Sequence, residues 1–122
     1  MSDERKYYEP FLKAPSNLYY YNIKRLFNMY GQQKLYRVDN MWINPYGKYG
    51  EYACVQTPDF IATLPHHLIS KMKRIMDSDK CQKAIKDGHF YFCIYEYDAG
   101  NFGKQCSVSF LTLSDKEIMD NA

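Results

Sequence analysis

A chain of 122 residues with a net charge of +2 is sized for one domain and is no histone-like polycation. Its 46% hydrophobic and 17% aromatic content excludes a chain that is disordered as a whole. Thirteen tyrosines exceed what so small a core needs, and Tyr suits soluble contact surfaces because it joins a flat apolar ring to a polar tip.

Residues 1–17 begin "MSDERKYYEP" and carry Pro10 and Pro15, which argue against a helix and for a flexible arm. "LYYYNIKRLFNMY", Leu18 to Tyr30, fits two patterns. The Tyr run with Ile23 favours a strand; Leu18, Ile23, Leu26 and Phe27 lie near helical spacing, and the strand is the expectation. After Gly31, "KLYRVDNMWINPY" alternates with period two, as a half-buried strand does. "NPYGKYG", Asn44 to Gly50, is a turn by composition, and "EYACVQT" follows as a third strand; Pro58 interrupts it, and "DFIATLP" continues extended until Pro65.

The period then changes. Leu68, Met72, Ile75 and Met76 form one apolar helical stripe, and Ser78 or Asp79 is placed to cap a second short helix ending at Gly88. "HFYFCIYEYDAGNFGKQCSVSFLTL", His89 to Leu113, reads as two strands around a Gly-containing turn. Phe90, Phe92 and Ile94 share one face, the core face; Tyr91, Cys93, Tyr95 and Tyr97 share the other, which raises the question of what a second aromatic face is for. "SDKEIMDNA", 114–122, is a charged tail. The order β-β-β-α-β-β is typical of a mainly β, five-stranded OB-fold barrel with one helix between strands 3 and 4, spanning residues 18–113.

Cys54, Cys81, Cys93 and Cys106 make no CxxC pair, and His66 and His67 are adjacent, so no common zinc signature is present and buried free thiols are expected. No phosphate loop, dinucleotide fingerprint, HExxH or nucleophile elbow occurs, so the expectation is a binding protein with no cofactor, metal or catalytic residue. No apolar run approaches the roughly 20 residues of a membrane span, and the start is polar, so a reduced cytoplasmic protein is expected.

Sequence-tolerant single-strand binders combine cations for phosphates with aromatic faces for bases. This chain interleaves the two. Lys24 and Arg25 sit amid Tyr20, Tyr21, Phe27 and Tyr30; Lys34, Arg37 and Lys48 sit amid Tyr36, Trp42, Tyr46 and Tyr49. The expected stacking residues are Trp42, Tyr46, Tyr49, Tyr91 and Tyr95, and the expected phosphate contacts are Lys24, Arg25, Arg37, Lys48 and Lys104. The same Tyr-rich face equally suits a protein partner.

The stretches "YRVDNMWINPYGKYGEYACVQT", "DFIATLPHHLISKMKRIMDSD", "AIKDGHFYFCIYEY" and "GKQCSVSFLTL" together resemble the small OB-fold single-stranded-DNA-binding proteins of phages of Gram-positive bacteria, the lactococcal type among them. The motifs are turn glycines, a helix start and barrel strands, and they cover about two thirds of the chain, from Leu35 to Leu113. The resemblance implies sequence-independent coating of single-stranded DNA in phage replication or recombination, in the host cytoplasm, by a homo-oligomer, with replication or recombination proteins as further partners. RNA offers the same phosphates and bases. The alternative is a small phage-type protein that binds and inhibits a host defence or replication factor through its Tyr-rich face.

Overall fold

The computed structural model describes residues 18–32, 34–48, 50–114 and 116; the expected arm, 1–17, and most of the expected tail, 114–122, lie outside them. Among the described residues seven strands form two sheets in a mainly β fold. In chain order these are β1 (Tyr20–Asn22), α1 (Ile23–Tyr30), β2 (Tyr36–Arg37), β3 (Asn40–Gly47), β4 (Gly50–Gln56), β5 (Ile61–Leu64), a single 3-10 turn (His66–Leu68), α2 (Ile69–Asp77), α3 (Asp79–Lys86), β6 (Phe90–Asp98) and β7 (Lys104–Thr112). The first sheet has the order β1-β5-β4-β3 and the second β2-β6-β7.

The two sheets share one stretch of chain. Tyr36 and Arg37 pair with Phe92 and Tyr91 of β6. The Val38 N–H donates to Phe90 O at 2.8 Å, and the next amide, Asp39 N–H, donates to Gln56 O at 2.8 Å. At that point the chain leaves one sheet and enters the other. Met41 and Ile43 then face Val55 and Ala53 in register, and Ala62 and Leu64 continue that face on β5. These side chains meet Tyr36, Val38, Phe90, Phe92, Ile94 and Val108 from the second sheet, and Leu26, Met72 and Ala84 from the three helices, in one core. The Tyr36 and Phe92 rings stack at 5.0 Å between centroids.

Three expectations are corrected. The five-stranded closed barrel is instead two sheets that do not close on each other. The seam falls between β5 and β7: β5 takes β1 as its parallel neighbour, and α1 packs against β7, burying Ile23 and Leu26. Second, Leu18 to Tyr30 is not one strand but a three-residue strand followed by a helix. Asn22 is the switch: its Oδ1 accepts the Arg25 N–H at 2.8 Å, an N-cap bond that removes one orphan donor of the first turn. Gly31, at φ 83, ends the helix with its N–H on Phe27 O. Third, Pro58 does more than interrupt an extended stretch: the chain from Glu51 to Leu64 is two strands that turn back on each other and pair antiparallel. The Thr57 hydroxyl accepts the Phe60 N–H at 3.1 Å and donates to Phe60 O at 3.0 Å, folding Pro58 and Asp59 into a turn.

The turn expected over Asn44 to Gly50 is shorter than its composition suggests. β3 runs on to Gly47, which pairs with Gly50, and the register shifts between Asn44 and Gly47. That irregularity accommodates Pro45, which has no N–H to give a ladder. The helical stripe is as expected, with Leu68, Met72 and Ile75 buried. Ser78 caps α3 by accepting the Cys81 N–H at 3.2 Å, and Gly88 takes φ 78 after its end. Among the described residues no helix is long and apolar enough to cross a membrane.

Candidate nucleic-acid interface

Alternation along β3 sends Trp42 and Asn44 to the face of the first sheet opposite the core, where their cross-strand partners are Cys54 and Tyr52. Ile61 and Thr63 of β5 and Tyr20 and Asn22 of β1 extend the same face. Its centre is closed: Trp42, Cys54 and Ile61 are fully buried as a small second cluster, with Leu18 and Tyr52 packed on it. Towards the β3–β4 hairpin the face opens into a groove of about 600 Å³ lined by Tyr20, Asn44, Lys48, Glu51, Tyr52, Thr63 and His66.

The wall of this groove is held from below. Asn44 is buried; its Oδ1 accepts the Tyr46 N–H at 2.8 Å, and its Nδ2 donates to the Tyr52 hydroxyl at 2.6 Å. Gly47 has no room for a side chain: a Cβ would stand 2.4 Å from Gly50 O and 2.5 Å from Tyr52 Cδ1. The Tyr52 ring therefore lies against hairpin backbone, and only Gly permits that approach. Burial, with the neighbouring Cys54 and Tyr20, raises the Tyr52 phenol above its ordinary value against the opposing Asn44 bond. Burial likewise raises Tyr20. His66 Nδ1 lies 3.2 Å from Glu51 O, and since a carbonyl only accepts, that nitrogen carries the proton. Tyr46 stands beside the groove, 82% exposed.

A second groove, about 440 Å³, lies at the open seam and is lined by Asn22, Lys24, Gln105 and Cys106. It shares Thr63 and Leu64 with the first, so the two are contiguous. A third, about 360 Å³, lies at the far end of β4, between Tyr30, Lys34, Arg37, Asp59, Phe60 and Tyr91.

The ten residues expected from sequence do not form one site. Lys48 lines the first groove and Lys24 the second, while Tyr46 is exposed on the β3–β4 hairpin outside the first groove's lining. Arg37 and Tyr91 line the third, where Arg37 Nε is 2.8 Å from the Asp39 carboxylate. Arg25 holds its guanidinium 5.1 Å over the Tyr21 ring, Lys104 is 3.8 Å from Glu96, and the Tyr95 ring lies 6.2 Å from that of Tyr97. Trp42 is a correction: with no exposed surface, it offers no face to a base, because it is enclosed by Cys54, Ile61, Leu18 and Tyr52. Tyr49 lies outside the described residues. Sequence reasoning missed Tyr20, Asn44, Tyr52 and His66 as members of one site. The available signal was the period-two offset of Tyr52 from Cys54, which places the two on one face.

Cys54 and Cys106 are buried free thiols, and Cys81 and Cys93 are half-buried free thiols. Burial pushes the Cys54 thiol up to about 12, far from the thiolate that metal binding or nucleophilic attack requires. Among the described residues no three His, Cys, Asp or Glu side chains gather to hold a metal. Comparison with known protein families, curated proteins and solved structures returned no match.

Proposed function

We propose that this chain binds single-stranded nucleic acid, DNA in the first instance, along the outer face of its first sheet. The observation that carries the reading is the groove beside the β3–β4 hairpin, which Tyr20, Tyr52 and Lys48 line together, with Tyr46 exposed on the same hairpin. Aromatic faces with a cation among them are what sequence-tolerant strand binding uses, at about 1–3 kcal/mol per stacked base.

The strand connectivity supports an OB-type ancestry for this reading. The joined stretch β2–β3 pairs with both β4 and β6, β4 pairs with β5, β6 pairs with β7, and α2 and α3 fall between β5 and β6. An OB barrel has five strands with its helix after the third, and it binds oligonucleotides on the face of strands 2 and 3 beside the loop between strands 1 and 2. In this chain those are β4, β5 and the β3–β4 hairpin, the location of the groove. The replication or recombination role, the phage setting in a host cytoplasm and an oligomeric state are proposals that rest on the family resemblance alone.

Fluorescence polarisation of a labelled oligo-dT at low and moderate salt, with duplex DNA as control, tests the reading. The expected result is binding that prefers the single strand and weakens steeply with salt, because counterions are released from the phosphates. Absence of binding at micromolar protein rejects it in favour of a protein partner. Phe102, 82% exposed in the β6–β7 turn, and Tyr97 are the anchors that second reading offers.

A further inference from the structure

The hydrogen bonds beneath the groove leave one donor with a defined direction. Asn44 Oδ1 is occupied by the Tyr46 backbone N–H, which can only donate. The other end of the amide is therefore its NH₂ group, and this assignment does not depend on how an amide is oriented by convention. That NH₂ donates to the Tyr52 oxygen at 2.6 Å, so the Tyr52 hydroxyl is the acceptor of this bond and its own proton is left over. Among the described residues Asn44 is the hydrogen-bond partner of this hydroxyl, and it uses the oxygen rather than the proton. The ring itself lies against Gly47, so the hydroxyl stays at the groove wall that Tyr20 and Lys48 also line.

Resting on the strand-binding reading above, we propose that the Tyr52 hydroxyl is an obligate hydrogen-bond donor to an acceptor oxygen of the bound strand, with Asn44 as its positioning residue. Two oxygens of a nucleic acid fit: a base carbonyl, present on thymine and cytosine and absent from adenine, or a non-bridging phosphate oxygen. A base carbonyl would give the site a composition preference; a phosphate oxygen would fix strand register alone. Stacking by Tyr20 and Tyr46 would be indifferent to both.

The test measures affinity for oligo-dT and for an abasic oligonucleotide of the same length, with wild type, Tyr52→Phe, Asn44→Asp and the double variant, each first checked for folding by thermal denaturation. Tyr52→Phe keeps the ring and removes the donor. Asn44→Asp keeps the acceptor for the Tyr46 amide but turns the donor into a second acceptor, which captures the Tyr52 proton inside the wall. Each single variant is expected to lose about three- to tenfold in affinity, the ordinary worth of one neutral hydrogen bond. In the double variant the Asp has no proton left to capture, so the losses combine to less than their product. A loss on oligo-dT only assigns the base carbonyl, and an equal loss on the abasic strand assigns the phosphate. Unchanged affinity of Tyr52→Phe on both strands, or fully multiplicative losses, overturns the donor role while leaving strand binding intact. Failure of the wild type to bind either strand rejects the strand-binding reading itself, and the donor role with it.

Discussion

The outer faces of the two sheets are both rich in aromatic residues, yet their surroundings differ. On the second sheet Tyr91, Cys93 and Tyr95 are half-buried along β6, and Tyr97 is 37% exposed. Tyr95 and Tyr97 line none of the three grooves described above. On the first sheet the face is split. One end is sealed by Trp42, Cys54 and Ile61, and the other opens into a concave wall with Tyr20, Tyr52 and Lys48. Aromatic content alone therefore does not define a binding face. Tyr91 also lines a groove with Lys34 and Arg37, so it is the floor of Asn44 hydrogen-bonded to Tyr52 and the Tyr46 amide that distinguishes the first sheet's groove.

The sharpest way to break this comparison is at the sealed end. Trp42→Ala removes a fully buried indole and is expected to cost about 3–5 kcal/mol of stability, read by urea denaturation. A protein that keeps its stability but loses oligonucleotide binding would instead make Trp42 a contact residue. The next effect compares the open groove with the second sheet. Tyr46→Ala, at an 82% exposed position, is expected to leave stability within about 0.5 kcal/mol while weakening strand binding by about 1–3 kcal/mol. Tyr95→Ala is expected to leave affinity for the strand unchanged. Equal losses from the two variants would show that both faces bind.

The sealed end also has a pH signature. The Cys54 thiol ionises near 9.0 in an unfolded chain and is pushed up to about 12 in the fold. Below pH 9 both states hold the proton and stability is flat. Above it the unfolded chain releases the proton and the fold does not, so stability falls as pH rises from 9 towards 12. One such group contributes at most about 1.4 kcal/mol per pH unit. Cys54→Ala is expected to flatten this alkaline limb in part, leaving what is owed to the Tyr36 phenol, also pushed up to about 12 by burial, and to Tyr20, Tyr52 and Cys106, which burial also raises. An unchanged limb in the variant would mean that the thiol is open to solvent. The smallest effect concerns charge. Lys48→Gln is expected to reduce the slope of log affinity against log salt by about 1, and Lys104→Gln by less, since Lys48 lines the first groove and Lys104 lines none of the three. Equal slopes for the two variants would remove Lys48 from the groove's phosphate contacts.

Much of the local structure was legible from the chain itself. The alternation of Phe90, Phe92 and Ile94 marks a core face because a strand turns successive side chains to opposite sides. Ser78 and Gly88 bound α3 because a hydroxyl can cap orphan amides and Gly adopts positive φ without cost. Such signals act over a few residues, so the sequence alone determined the helical pair, the β6–β7 hairpin and the buried stripe that joins them.

What the tertiary structure decided are the outcomes that depend on distant segments. Whether Trp42 is a platform or a plug depends on Cys54, Ile61 and Leu18, which arrive from three other parts of the chain. Whether the barrel closes depends on α1 lying against β7 and β1 pairing with β5. The groove exists because Tyr20, Tyr52 and His66 converge from β1, β4 and the turn before α2. Periodicity assigns each of these side chains to a face, but only packing shows which part of a face is left open to a ligand.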